Sequence, residues 1–133
     1  MAESLPKIFD RPGGKQWDYV FNCGGETRYS QEDEVYKVRS LALSLAVGKE
    51  AAKRGVKAFV ELSTGMVYKP KTPARKENDE LKPWLRMAHY KLQAEEELAR
   101  IPGYVVQHVR GSLLANDRCL WCFFVDRADF FSG

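Results

Sequence analysis

Three short stretches combine glycine with hydrogen-bonding side chains where an apolar run stops: Asn22-Cys23-Gly24-Gly25, Ser63-Thr64-Gly65 and Arg110-Gly111-Ser112. Glycine lets a flat ligand lie close to the backbone. Amides and hydroxyls supply the few convergent hydrogen bonds that orient a small molecule in a pocket. Tyr68 follows the second stretch and brings a phenol to the same edge. Turn formation alone would select similar residues, so spacing leaves a ligand edge and a set of plain turns both open. Cys119 and Cys122 form a Cys-x-x-Cys pair, but zinc needs four ligands. The remaining soft partners are Cys23, His89 and His108, which are scattered. A redox pair would want a helix start beside a strand, so structural or incidental cysteines are the simpler reading. His108 sits inside an apolar run and reads as a core histidine. Trp17, Trp84 and Trp121 read as packing residues.

Elements must bring those stretches to one edge, and the pattern supplies them. Trp17 to Phe21 is a short aromatic and β-branched run that predicts a strand. From Glu34 to Arg54, Val35, Val38, Leu41, Ala42, Leu45 and Ala46 fall at helical spacing and predict one apolar stripe, with Gly55 as the stop. Val56 to Leu62 is nearly continuous in apolar character, as a strand covered on both faces is. After a loop over 65–83, a helix is expected from Trp84 to Arg100, with Leu85, Ala88, Leu92 and Ala99 on one face. Tyr104 to Val109 predicts a third strand. Strand, helix, strand, helix, strand implies an α/β domain with a parallel sheet. In open parallel sheets, ligands bind outside the carboxyl ends of the strands, and those ends are the three glycine-bearing stretches. The expectation is that Gly24, Thr64 and Lys91 share one rim. Residues 111–133 fit no further βαβ unit and read either as cover for a sheet edge or as a poorly ordered tail.

The bulk properties limit the partners. At 133 residues the chain is one domain's worth. Hydrophobic content of 44% and charged content of 29% suit a soluble globular protein. Net charge is +3, but acids such as Glu32-Asp33-Glu34 and Glu95-Glu96-Glu97 interleave with the bases, so no nucleic-acid stripe forms. Lys69-Pro70-Lys71 and Arg75-Lys76 read as a solvated basic loop. No apolar run reaches the roughly 20 residues of a membrane helix. An odd cysteine count without a leader at Met1-Ala2-Glu3-Ser4 points to a reducing, cytoplasmic location.

VKAFVELSTGMVY resembles the fifth-strand signature of the extended short-chain dehydrogenase/reductases, the NAD-dependent epimerase/dehydratase group. DYVFNCGG resembles that family's fourth strand and its small-residue turn. VYKVRSLALSLAVGKEAAKRG resembles the helix between them. KPWLRMAHYKLQAEEEL resembles the active-site helix, with Glu95 after Lys91 at the family's spacing. YVVQHVR resembles the sixth strand, ending in Arg110.

The resemblance covers roughly residues 8–110. It implies a partial doubly wound, Rossmann-like domain over 1–110, followed by a divergent tail over 111–133. The implied cofactor is NAD or NADP. Asn22, Cys23, Gly24, Gly25, Leu62, Ser63 and Lys91 would line its nicotinamide side, and the substrate would be a nucleotide-sugar-like molecule. Thr64 would hydrogen-bond the substrate. Lys91 would hold the nicotinamide ribose and tune a tyrosine one helical turn earlier for proton transfer.

That earlier position is Met87, whose thioether moves no proton. Tyr68 is a distant substitute. Arg39 stands where the family usually keeps an asparagine. The pyrophosphate motif G-x-x-G-x-x-G does not occur in the sequence, and the chain opens just before the family's fourth strand. The resemblance therefore implies a catalytically impaired member. The alternative is a truncated isoform or pseudoenzyme acting through protein contacts or self-association at exposed sheet edges.

Overall fold

The computed structural model describes residues 5–69, 78–103, 105–111 and 122–125. Lys71, Arg75, Lys76, Tyr104, Ser112, Cys119 and Trp121, singled out above, lie outside the described residues. Helix α1 is Leu5–Phe9 and strand β1 is Tyr19–Asn22. The strand begins two residues later than expected because Trp17 has another task. Its indole Nε1 donates to Phe9 O at 3.1 Å, and its ring lies under the Arg11 guanidinium at 4.6 Å. Sheet-side bonding starts only at Asp18, whose carbonyl accepts from Lys57 N at 2.8 Å.

The long helix expected after β1 forms, but in three parts. Helix α2 (Asp33–Tyr36) passes through a π-helical turn, Lys37–Ala42, into α3 (Leu43–Lys53). Gly55, at φ +70°, closes α3, with its N–H on Ala52 O at 3.0 Å. The expected apolar stripe is rotated. Val38 is exposed, as are Ala42 and Ala46, while Tyr36, Ser40, Leu43, Ser44, Val47, Gly48 and Ala51 face inward. Small serines and a glycine let this helix approach the sheet, and their hydroxyls have partners there.

Strand β2, Ala58–Thr64, runs parallel to β1 in the register Tyr19↔Ala58 to Asn22↔Glu61. It continues two residues past its expected end. The cause is β3 (Val105–Gly111), which pairs parallel to it as far as Thr64↔Gly111. Ser63 and Thr64 are thus strand residues, and the turn begins at Gly65. Helix α4, Arg86–Leu98, is shorter than expected. Leu85 is extended and Trp84 is 53% exposed, so Trp84 is not a packing residue here. Ala99 is exposed, while Lys91 and Glu95 are buried on the inner face. Strand β4, Cys122–Val125, pairs antiparallel with the free edge of β1 and gives the sheet order β3-β2-β1-β4. The main apolar core gathers Phe9, Val20, Leu43, Val47, Ala51, Val56, Phe59 and Leu98. A smaller cluster joins Val67, Tyr68 and Ala88 under the turn that follows β2.

Candidate functional site

The parallel register puts the ends of β1 and β2 side by side, and α4 lays Lys91 across them. The ammonium donates to Leu62 O at 2.9 Å, to Glu61 Oε1 at 3.1 Å and to Gly24 O at 3.2 Å. Gly24 and Lys91 therefore meet directly, and Thr64 follows two residues along β2. Glu61, wholly buried in mid-strand, also accepts from Ser44 Oγ and from Asn22 Nδ2, each at 2.7 Å. Asn22 Nδ2 reaches Ser44 Oγ at 3.2 Å, and Asn22 Oδ1 accepts from Gly24 N at 3.1 Å. One carboxylate thus receives three donors, from α3, β1 and α4. A buried carboxylate is tolerated only when it is paired and hydrogen-bonded, and here both oxygens have donors.

The expected site residues divide by what they touch. Asn22 turns inward to Glu61 and Ser44. Gly24 is shaped by packing, since a Cβ there would meet Leu43 Cδ2 at 3.0 Å. At Gly25 a Cβ would meet Lys91 Cε and Nζ at 3.1 Å, so this glycine leaves room for the lysine. Leu62 contributes its carbonyl. Cys23 is half-buried between Asn22 and Gly24. The Thr64 hydroxyl accepts from Met66 N at 3.2 Å and caps the following turn. Ser63 Oγ is buried and has no hydrogen-bond partner. Buried hydroxyls are normally satisfied, so Ser63 is an orphaned donor and acceptor at the exit of β2.

Ser40, Ser44, Glu26 and Glu61 were not among the expected residues. A glutamate inside an apolar strand was a legible signal for Glu61, because such a charge must be paired. Ser44, in α3, and Ser40 stand about one helical turn apart, with Ser40 inside the π turn. Through that turn Ser40, not Arg39, faces Gly25, and its Oγ accepts from Glu26 N at 3.0 Å. Arg39 points outward and bonds Glu26 Oε2 at 3.1 Å. Bidentate bonding from Arg28, helped by Arg39, lowers the Glu26 carboxyl to about 2 against the opposing effect of burial.

One turn further along the inner face of α4, Arg110 donates to Glu95 Oε2 at 2.6 Å and to the Tyr68 hydroxyl at 3.0 Å. Its guanidinium lies 5.2 Å from the Tyr68 ring centroid. The Glu95 bonds raise the arginine's pKa. Tyr68 is thereby held as a packing and bridging residue. His108 Nδ1 is buried without a partner, and desolvation pushes the imidazole below its ordinary value. Met87, one turn before Lys91 on the same face, is buried and lines a depression of about 450 Å³ with Tyr29, Tyr36, Trp84 and Arg86. Among the described residues no group of three or more metal-ligating side chains gathers, and no helix is long and apolar enough to cross a membrane.

Comparison with known proteins adds to this geometry. The pattern of the NAD-dependent epimerase/dehydratase family matches residues 7–100. Among curated proteins, none matches significantly. The Bordetella bronchiseptica enzyme WbmG, solved in complex with NAD and UDP, superposes with a TM-score of 0.69 at 22% identity, over 82% of this chain and 34% of that one. UDP-glucose 4-epimerase from Thermotoga maritima, solved with UDP-glucose, gives 0.68 at 24% identity over 82% and 37%. UDP-glucuronic acid 4-epimerase from Bacillus cereus, solved with NAD, gives 0.66 at 16% identity over 80% and 34%. The chain spans about a third of the length of these structures.

Proposed function

Because the chain belongs to the NAD-dependent epimerase/dehydratase family, we propose that it binds the nicotinamide side of NAD or NADP along the exits of β1 and β2, and that it does so without turning over a substrate. One observation carries both halves. Lys91 is held between the carbonyls of adjacent parallel exits, and the residue one turn before it is Met87. The residues present fit that half of a dinucleotide. The orphaned Ser63 Oγ can bond a ligand amide or hydroxyl, and the Thr64 hydroxyl proton remains for a second bond. When bound, the dinucleotide supplies hydride transfer. The chain would have to move the matching hydroxyl proton, and neither Met87 nor the Arg110-bound Tyr68 is placed for it. No G-x-x-G-x-x-G turn to cradle a pyrophosphate at a helix N-terminus occurs in the sequence, and the contacts proposed here are those of the nicotinamide side. The 450 Å³ depression beside Met87, with Tyr29, Trp84 and Arg86, suits a nucleotide-sugar-like molecule.

Thermal melts with millimolar NAD and NADP test the binding. A ligand of the folded state alone must raise Tm by linkage, and the same sample should leave a UDP-sugar unconverted. No shift with either cofactor contradicts the proposal, and so does turnover by the unaltered chain.

A second reading, a protein-interaction role without catalysis, is favoured by the aromatic exposure around the same depression. Tyr29 is 57% exposed and Trp84 is 53% exposed. Concentration-dependent sedimentation that vanishes in Trp84→Ala would support it.

A further inference from the structure

We propose that Glu61 is a positioning residue for Lys91, fixing the ammonium where the exits of β1 and β2 meet. The proposal deepens the dinucleotide reading and rests on it for its consequence in binding. Three observations converge. The Lys91 ammonium has three protons, and each already has an acceptor, Glu61 Oε1, Leu62 O and Gly24 O. Two of these are backbone carbonyls, so the carboxylate is the one side-chain acceptor that sets where the charge rests. Glu61 is in turn fixed by Ser44 Oγ and Asn22 Nδ2 at 2.7 Å. Only an acceptor at both oxygens satisfies all three donors. An amide at this position turns its NH₂ toward Asn22 or toward Ser44 and Lys91, and at least one donor then faces a donor.

A ligand hydroxyl gains Lys91 by taking the proton now given to Gly24 O, the longest of the three bonds. Glu61 and Leu62 O keep hold meanwhile, so the lysine is ordered before the ligand arrives and loses little further freedom on binding. Without the carboxylate, the side chain has to be ordered by the ligand itself.

Protein labelled with ¹⁵N-lysine tests the positioning without any cofactor. The wild type should show one protected ammonium signal that disappears in Lys91→Met. Glu61→Gln should lose or broaden that signal while the backbone amide spectrum keeps its dispersion. NAD titration tests the consequence. Glu61→Gln should weaken binding about tenfold, and should change nothing further when introduced into Lys91→Met.

If Glu61→Gln does not fold, the double variant Glu61→Leu/Lys91→Met, which removes both charges, should fold with a Tm well above either single variant. A double variant no more stable than the singles overturns the proposal. So does an unchanged ammonium signal in Glu61→Gln, or an equal loss of NAD affinity with and without Lys91. A protected, Glu61-dependent ammonium in a protein that binds neither NAD nor NADP upholds the positioning and overturns the dinucleotide reading instead.

Discussion

The two ends of the sheet are built on opposite principles, although the same helices cover both. Toward the strand entries, α3 presents Val47 and Ala51 to Val20, Val56 and Phe59, and the contact is apolar. Toward the exits, a turn or two earlier on the same helix, Ser44 and Ser40 take those places and meet Glu61, Asn22 and Glu26. Apolar packing is non-directional and scales with the area removed from water. A buried polar set is directional, and each member is costly once a partner is lost. The entry end therefore supplies stability that tolerates volume-conserving change, while the exit end fixes backbone carbonyls and one ammonium in a single arrangement.

Substitutions should separate the two ends. The largest effects are expected from Phe59→Ala and from Lys91→Met alone. The first leaves a cavity in the dry core and should cost about 3–5 kcal/mol in urea unfolding. The second strands the Glu61 carboxylate and should cost a similar amount. The contrast lies in the second step. Adding Leu98→Ala to Phe59→Ala should deepen the loss, whereas adding Glu61→Leu to Lys91→Met should recover much of it. Recovery at both ends, or at neither, would erase the distinction.

Ser44→Ala should cost less, about 1–3 kcal/mol, by leaving Glu61 short of one donor. Acid titration gives the next effect. The Glu26 carboxyl is lowered in the folded state, so its stabilisation is present above the ordinary carboxylate value of 4.5 and is lost as pH falls from there toward 2. With its arginine partners half exposed, the loss should be about 1–2 kcal/mol, and it should be missing from the acid limb of Glu26→Gln. Trp84→Ala, on the exposed rim, should change stability by about 0.5 kcal/mol or less.

Much of the sheet was legible because helix and strand patterns alternate and the glycine stops are local. Gly55 ends α3 as its position implied. The strand exits met as expected, since parallel pairing follows from the βαβ order. The inner face of α3 was not legible from apolar spacing, which pointed to Val38, Ala42 and Ala46. Hydropathy counts Ser40 and Ser44 as surface residues, yet here their size permits close approach and their hydroxyls serve buried acceptors. Glu61 was legible by contrast, a lone charge among Phe59, Val60 and Leu62 that had to be paired, although its partners were not. The π turn that moves Ser40 inward and Arg39 outward has no sequence mark. The tail was legible as cover for a sheet edge, but the antiparallel seat of β4 on β1, a hundred residues away, was not. The Met87–Lys91 spacing was readable outright, because one helical turn in sequence is one turn in space.

The most direct measurement of the central claim is the set of backbone amide shifts on adding NAD to ¹⁵N-labelled protein. The account predicts changes concentrated at Gly24, Gly25, Ser63, Thr64 and Lys91, where the exits of β1 and β2 meet under α4. Shifts confined to the opposite end, around the depression formed by Phe9, Trp17 and Arg54, or no shifts at millimolar NAD, would contradict it.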